Sequence, residues 1–130
     1  MDCPRCGEPC VVFAVTPDLR EYAPEGSESS AICSTCLSTH PAADSTDAST
    51  EFTAVVESFP DGDAGVALAL ALGKLDSLAL NRAEIETLLT RAERDGADVL
   101  LTLDRLAAAG TVQPHFDIGR RRVQVEQLLQ

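Results

Sequence analysis

Four cysteine residues in the first third of the chain form two CxxC pairs. Cys3 and Cys6 make the first pair, Cys33 and Cys36 make the second, and 26 residues separate the two pairs. Two intervening residues allow a tight turn to direct both sulfur atoms of a pair at one ion, about 2.3 Å away in the case of zinc. Each pair can then supply half of a tetrahedron. The spacing predicts one structural zinc ion held by all four cysteines.

The same cysteines permit two other kinds of chemistry. A dithiol redox centre requires a CxxC pair between a strand and a helix, because the N-terminus of the helix lowers the thiol pKa. No strand precedes Cys3, and Gly7 and Pro9 oppose a helix after it. Tetrahedral thiolate sites also hold iron. The scarcity of aromatic residues in this region favours zinc, but the sequence leaves the choice between zinc and iron open.

Three further residues could take part in this site or in catalysis. Cys10 could replace Cys3 or Cys6, but we expect it to pack beside the site as a small apolar residue. His40 could offer a nitrogen ligand, yet the cysteines are better spaced, and we expect His40 at the surface. His115 has no second histidine, serine or cysteine close to it in sequence, so we expect a structural role for it.

Motifs that indicate catalysis or cofactor binding are absent from the sequence. It contains no Walker, Rossmann, HExxH or GxSxG pattern. A closed four-sulfur site also leaves no coordination position for water or a substrate. We therefore expect a protein that is not an enzyme, with no catalytic residue and no cofactor besides the metal ion.

Residues 1–40 are expected to form the module that positions the two pairs. They contain all five cysteines and an apolar run at 11–15 that suits a strand. A segment of about 40 residues rarely buries enough apolar surface to fold without a metal or disulfides. The 26-residue separation exceeds the roughly 15–20 of common zinc sites, so we expect a long hairpin with an irregular tip at 24–26. Residues 41–50 are small and polar, which predicts a flexible linker.

Residues 51–130 have the periodicity of helices. The apolar residues between 52 and 59 fit one face of a short first helix that Pro60 stops. Residues 64–79 are rich in alanine and leucine and lack the β-branched residues that strands prefer. We predict a second helix there, although several of its leucines alternate as in a strand.

Capping residues mark the later helices. A polar residue that can accept a backbone hydrogen bond stands before each of three apolar stripes, and a glycine follows the first two stripes. The predicted starts are Asn81, where Glu84 would complete a capping box, Asp98 and Asp117, and the predicted ends are Gly96 and Gly110. Residues 112–130 also fit a hairpin, because Val123 and Val125 are spaced as in a strand.

The chain is strongly acidic, with a formal net charge of −11 and one lysine against nine arginines. Abundant carboxylates combined with weakly hydrated guanidinium groups favour a halophilic protein from a salt-adapted cytosol. Acidity argues against nucleic-acid binding, because lysine and arginine make the phosphate contacts. In molar salt the Debye length falls to about 3 Å, which weakens that argument.

Arg120–Arg122 is the one basic run in the sequence. It could bind phosphate or an acidic partner. We favour instead a solvated helix face that balances Asp117 and Glu126. The helices predicted at 82–95 and 98–109 are joined by a short turn, as in helix-turn-helix proteins. The second of them presents few side chains suited to a DNA groove, mainly Thr102, Asp104 and Arg105.

Features of a secreted or membrane protein are missing. Cys3 follows the first methionine almost directly, which leaves no room for a signal peptide before the first pair. The most apolar stretch, 66–80, contains Lys74 and Asp76 and is shorter than the roughly 20 residues that span a bilayer. We expect a cytoplasmic protein without a membrane association, where thiols stay reduced and paired cysteines act as ligands.

The motifs Cys-Pro-Arg-Cys-Gly at 3–7 and Cys-Ser-Thr-Cys at 33–36 resemble those of zinc-ribbon proteins over about 40 residues. With the acidic composition and the stretches 75–82 and 103–106, the whole chain resembles an uncharacterised family of small haloarchaeal zinc-ribbon proteins. The resemblance implies an N-terminal zinc-ribbon β-hairpin module, and it implies no known activity. The predicted fold class is small α+β, with this module at 1–40 and a small α-helical bundle at 51–130.

Two functions remain as hypotheses. The first is a non-enzymatic interaction or adaptor protein, in which the ribbon and the helices present surfaces to a protein partner. The alternative is a nucleic-acid-binding or transcription-associated regulator that uses the ribbon and Arg120–Arg122. Zinc ribbons occur in transcription factors, polymerase subunits and ribosomal proteins, so the resemblance suggests such a context without showing a function. The sequence leaves the oligomeric state open.

Overall fold

The computed structural model describes residues 1–42 and 52–130, and it divides into a small sheet followed by helices. The strands are β1 (Cys10–Ala14), β2 (Ser29–Cys33) and β3 (Thr39–Pro41), and the helices are α1 (Gly62–Leu72), α2 (Arg82–Arg94), α3 (Val99–Ala108) and α4 (Ile118–Leu128). Single 3₁₀ turns lie at Pro17–Tyr22, Pro24–Gly26 and Leu75–Ser77. The predicted class, small α+β with an N-terminal hairpin module before a helical bundle, is confirmed.

The sheet is antiparallel, in the order β1-β2-β3, and its register places Cys10 opposite Cys33. The long connection between β1 and β2 has the irregular tip that its length predicted, with positive φ at Glu25 and Gly26. The third strand was not predicted. It has three residues and ends in Pro41, so it carries no alternating pattern, and it forms because β2 offers a free edge.

The first predicted helix is absent, and the prediction for 52–59 is wrong. The segment forms turns, in which the amides of Val55 and Phe59 donate to carbonyls three residues earlier. Phe52, Val55 and Phe59 are nevertheless buried. The spacing of these apolar residues therefore reflects their burial and does not indicate a helix. A segment of only two turns before Pro60 gains too few hydrogen bonds to offset the free-energy cost of helix nucleation.

Helix α1 is buried on every side, with each residue from Ala64 to Leu72 inaccessible to solvent. This explains its leucine pattern, because a central helix needs no polar face. The helix ends at Leu72, earlier than predicted, and Gly73 lies directly against β3. A Cβ atom on Gly73 would stand 1.9 Å from Oγ1 of Thr39. The helix terminus and the sheet therefore meet with no space between them.

The caps of the later helices agree with the sequence at two of three sites. Oδ1 of Asp98 accepts from the amide of Leu101 at 3.0 Å, and Oδ1 of Asp117 accepts from the amide of Arg120 at 3.1 Å. Asn81 holds the N-cap position of α2, but its side-chain amide donates to a carbonyl in the preceding turn.

The capping box predicted at α2 does not form, because Glu84 pairs with Lys74 at 3.1 Å. Gly96, at φ +104°, follows the end of α2 as predicted. Residues 118–128 are helical, which excludes the hairpin alternative for that part of the chain.

The sheet and the helices share one apolar core. Its buried members run along the chain from Phe13 in β1 to Leu128 in α4. The rings of Phe13 and Phe59 lie on either side of Phe52, with centroid distances of 5.4 and 5.2 Å. Residues 43–50 of the predicted linker lie outside the described residues, and the division into domains at 1–40 and 51–130 stays a prediction.

No helix within residues 1–42 and 52–130 combines the length and the apolar character needed to cross a bilayer.

Candidate metal centre

Two similar turns bring the cysteine pairs to one end of the sheet. We call residues 3–7 the first knuckle and residues 33–37 the second knuckle. In each, the amide of the last residue donates to the carbonyl of the first, at 2.8 Å for Gly7 and 3.1 Å for Leu37. Both closing residues have positive φ, +83° and +64°. A glycine is typical of this position, so the sequence indicated the positive φ at Gly7 but not the one at Leu37.

The knuckles are held together by the backbone around Pro9. The amide of Cys10 donates to Met1 at 2.8 Å, and the amide of Ser34 donates to Pro9 at 3.1 Å. The hydroxyl of Ser34 donates to the same Pro9 carbonyl at 2.8 Å. These bonds place the second knuckle beside the strand that follows the first.

The four predicted sulfur atoms converge. The Sγ atoms of Cys3, Cys6, Cys33 and Cys36 all lie within 4.8 Å of one another. Two of the separations are 3.7 Å, between Cys3 and Cys36, and 3.4 Å, between Cys6 and Cys33. Metal–sulfur bonds of about 2.3 Å in a regular tetrahedron require sulfur separations of about 3.8 Å. The donor set therefore fits one tetrahedral metal ion, and the role of each cysteine as its ligand stays a prediction.

Backbone amides donate to two of the four sulfurs, those of Cys3 and Cys33, and would offset part of the charge of four thiolates. The amide of Arg5 donates to Sγ of Cys3 at 3.3 Å. The amides of Thr35 and Cys36 donate to Sγ of Cys33 at 3.4 and 3.3 Å. Such N–H···S bonds orient the ligands and reduce the repulsion between negative sulfurs. They arise from the CxxC turns themselves, so the spacing of the cysteines supplies them.

Ser38 and His40 complete the polar surroundings of the sulfurs. Oγ of the buried Ser38 lies 3.0 Å from Sγ of Cys36 and 3.5 Å from Sγ of Cys3. Nε2 of His40 lies 2.8 Å from that Oγ and 3.6 Å from Sγ of Cys3. The expectation of His40 as a surface residue is wrong, since it is half-buried in this network. Ser38 was missed, because a serine outside a CxxC motif carries no signal for a metal site.

The thiols differ in acidity. Burial raises the pKa of Cys3, but hydrogen bonds from Ser38 and from two backbone amides outweigh it and lower the pKa to about 5. Burial raises the pKa of the Cys33 thiol. A metal ion would have to displace the protons that such thiols retain, so ion binding here releases protons and becomes weaker in acid.

Cys10 lies next to the four sulfurs without joining them. It is half-buried and packs against Cys3, Cys33 and Cys36. Burial, followed by the negative charge of Cys3, raises the pKa of Cys10 to about 11. It is therefore a neutral thiol at physiological pH, and its packing agrees with the role of a small apolar neighbour.

The second knuckle also contacts the segment between α3 and α4. The amide of Gln113 donates to the carbonyl of Thr35 at 2.7 Å. The carbonyl of Cys36 accepts from the amide of His115 at 2.9 Å and from its Nδ1 at 2.8 Å. The side chain of His115 is only 2% exposed. The structural role expected for His115 thus includes a contact with Cys36, a predicted ligand. The sequence did not indicate this contact, because 79 residues separate the two positions.

The basic run Arg120–Arg122 is largely engaged within the protein. Arg122 pairs with Asp104 at 2.9 Å and with Glu126 at 2.8 Å. Arg121 donates to the side chain of Gln124 at 2.7 Å. These contacts agree with a helix face that balances nearby carboxylates, and they join α4 to α3.

A family model described as "Family of unknown function (DUF6276)" matches residues 2–129 of the chain. No curated protein and no solved structure matches the chain.

Proposed function

We propose a function from the site itself, because the chain belongs to the DUF6276 family and that family has no known function. The chain acts as a non-enzymatic protein in which one zinc ion bound by four cysteines holds the N-terminal module together. The observation that carries this proposal is the convergence of the four Sγ atoms within 4.8 Å. The surrounding N–H···S bonds support it, since they stabilise thiolates.

The choice of zinc over iron rests on the sequence. Two CxxC knuckles resemble those of zinc ribbons, and the donor set fits either ion. Metal analysis of protein purified without added metal tests the choice. We expect one zinc ion per chain and a colourless solution. A red protein with stoichiometric iron would contradict it, and protein without metal whose thiols all react freely would contradict the site.

A structural role of the ion follows from its ligand number. Four protein sulfurs fill a tetrahedral site, so neither water nor a substrate can reach the ion without displacing a cysteine. The ion would instead contribute to folding, because a preformed site does not exist in the unfolded chain. Removal of zinc by a chelator should therefore lower the unfolding temperature, which circular dichroism can measure.

A protein partner is the proposed target of the folded chain. Leu80, Leu101 and Val123 are 88%, 45% and 54% exposed, which leaves apolar side chains at the surface. The net charge of −11 and the ion pairs of Arg122 weigh against nucleic acid. Cross-linking and affinity capture at native salt, with wild type compared with Leu80→Ser and Val123→Ser, should recover a protein that the variants lose.

A nucleic-acid function predicts a different result. RNA or DNA binding that persists at high salt and disappears when Arg120, Arg121 and Arg122 are changed to Gln would overturn the proposal of a protein partner. Unchanged capture by the two serine variants would show that their apolar side chains are not the contact.

A further inference from the structure

The segment between α3 and α4 is bound at its centre by the second knuckle. We call residues 109–117 the α3–α4 connection. Its amides at 113 and 115 donate to the carbonyls of Thr35 and Cys36 at 2.7 and 2.9 Å. The ring of His115 adds a bond from Nδ1 to the Cys36 carbonyl at 2.8 Å. A carbonyl can only accept, so Nδ1 carries the proton.

The ring of His115 is held in this position by its surroundings. Its side chain is 2% exposed, and its ring is nearly perpendicular to that of Phe116, with a centroid distance of 4.9 Å. Nε2 lies 3.9 Å from Oδ1 of Asp76, in the turn that follows α1. The ring therefore fills a site between the knuckle and the helices, and its bond to Cys36 is part of the packed structure.

The carbonyls that bind the connection belong to the turn that carries the second pair of predicted ligands. Thr35 lies between the cysteines of the second pair, and Cys36 is itself a predicted ligand. An ion bound to Sγ of Cys33 and Cys36 restricts the turn and orients both carbonyls. Without an ion, we expect the turn to sample more conformations, because the constraints that a tetrahedral ion imposes on both sulfurs are then missing.

The connection and helix α4 both contribute buried side chains to the core. Val112, within the connection, is buried, as are Val125 and Leu128 on α4. The connection is therefore hydrogen-bonded to the second knuckle and also contributes to the core that α4 shares.

We infer that metal occupancy of the knuckles and docking of the α3–α4 connection are linked, with His115 as the positioning residue that connects them. This inference rests on the proposed metal-binding function. Linkage is reciprocal, so an ion that stabilises the docked connection must bind more tightly when the connection is docked. The four-cysteine site therefore controls the order of the C-terminal helix as well as that of the N-terminal module.

Hydrogen–deuterium exchange of the full chain, with zinc and after chelation, tests the direction from metal to helix. We expect amides at 112–128 to exchange at least about tenfold faster without metal, while those of α1 retain their protection. Equal protection of 112–128 in both states would overturn the inference. An equal loss of protection in α1 and α4 would also overturn it, because metal removal would then unfold the whole molecule and not the connection.

Chelator competition with zinc tests the reverse direction. His115→Ala should lower zinc affinity about three- to tenfold, the loss expected for one hydrogen bond. His115→Asn keeps an N–H donor near the position of Nδ1 and should recover part of that affinity. Asp104→Asn removes an ion pair between α3 and α4 without touching the knuckle, and it should change the affinity less than twofold.

The outcomes separate this inference from the proposed function. A chain that binds no zinc and no iron would overturn both. A chain that binds one zinc ion with the same affinity in wild type and His115→Ala would keep the metal site and overturn the link. If His115→Ala does not fold, the affinity of His115→Asn relative to wild type and the exchange of the wild-type chain decide the question.

Discussion

At the second knuckle, Leu37 occupies the backbone position that Gly7 occupies at the first. Its φ of +64° costs a residue with a side chain about 1–2 kcal/mol. Its side chain is fully buried in the main core, and such burial of a leucine stabilises by about 1.5–3 kcal/mol. The free energy gained by burying Leu37 therefore exceeds the cost of its positive φ. The same residue strains the backbone of the second knuckle and anchors that knuckle to the core.

The opposing effects of side-chain burial and backbone strain at Leu37 predict that a glycine variant is at least as stable as an alanine variant. Leu37→Ala should destabilise the metal-loaded protein by about 2–5 kcal/mol. Leu37→Gly also removes the side chain but relieves the backbone strain, so it should be at least as stable as the alanine variant. Urea unfolding measures both. In α1, Leu68→Gly should be less stable than Leu68→Ala by about 1 kcal/mol, and the same order at Leu37 would contradict the argument.

Ser38 supplies a second prediction at this scale. Its hydroxyl lies 3.0 Å from Sγ of Cys36, so Ser38→Ala should reduce zinc affinity about tenfold by removing a hydrogen bond to a ligand. Competition with a chromophoric chelator measures the change. Ser27→Ala is the matched control, since the Ser27 hydroxyl bonds Oγ of Ser30 at 3.0 Å. A loss of affinity in the control as large as that in Ser38→Ala would refute a specific role for Ser38.

The end of α1 lies directly against β3, with no room for a side chain at Gly73. Gly73, immediately after α1, meets Thr39 of β3, one residue from His40. Because α1 is buried from Ala64 to Leu72, it has no free side toward which this part could shift. The end of this helix therefore fixes the position of the strand that carries His40 to the sulfurs.

This close contact predicts an intolerance to any side chain at Gly73. Gly73→Ala would place Cβ 1.9 Å from Oγ1 of Thr39 and should destabilise the protein by about 1–3 kcal/mol through forced displacement. Gly110→Ala is the control, since nothing lies within 4 Å of a Cβ there. Thermal unfolding measures both variants. Equal stability of the two would show that β3 can move away from α1 at little cost.

Across the whole molecule, Arg91 joins parts that are distant in sequence. On α2, it pairs with Asp18 of the Pro17–Tyr22 turn, with Asp63 of α1 at 3.8 Å and with Asp95 at 2.8 Å. The long β1–β2 connection is thereby bound to the helices on the side away from the cysteines. In a chain of net charge −11, one guanidinium among three carboxylates also reduces local repulsion.

The Arg91 pairs predict a pH-dependent stability difference. The hydrogen bond from Arg91 holds the pKa of Asp18 below its usual value. A lowered carboxyl pKa stabilises the folded state above the pKa of the unfolded chain, and this contribution is lost as the pH falls through the folded-state value. Arg91→Gln should therefore unfold at lower urea concentration than wild type at pH 7.

The difference in unfolding urea concentration between Arg91→Gln and wild type should become smaller below about pH 4 and in high salt. Arg94→Gln, an exposed neighbour on the same helix, serves as the control. A gap that is independent of pH and salt would show that Arg91 acts through packing alone.

Features set by neighbouring residues were predictable from the sequence. The CxxC turns, the caps at Asp98 and Asp117 and the end of α2 at Gly96 each depend on a few consecutive residues, and the structure contains all of them. We predicted the convergence of the two knuckles because a short segment rich in cysteine rarely folds without a metal ion or disulfides, and the four sulfurs do converge.

Only the tertiary structure decided the features that depend on distant partners. Residues 52–59 have helical spacing but form turns, and Phe52 is buried against Phe13 of β1 and against Phe59. Ser38 and His40 reach the sulfurs through the pairing of β3 with β2, and His115 reaches Cys36 from 79 residues away. The sequence by itself therefore indicated which four cysteines converge, since the spacing within each pair is local. Strand pairing and burial determined how the two pairs meet and what surrounds them, since both join residues far apart in the chain.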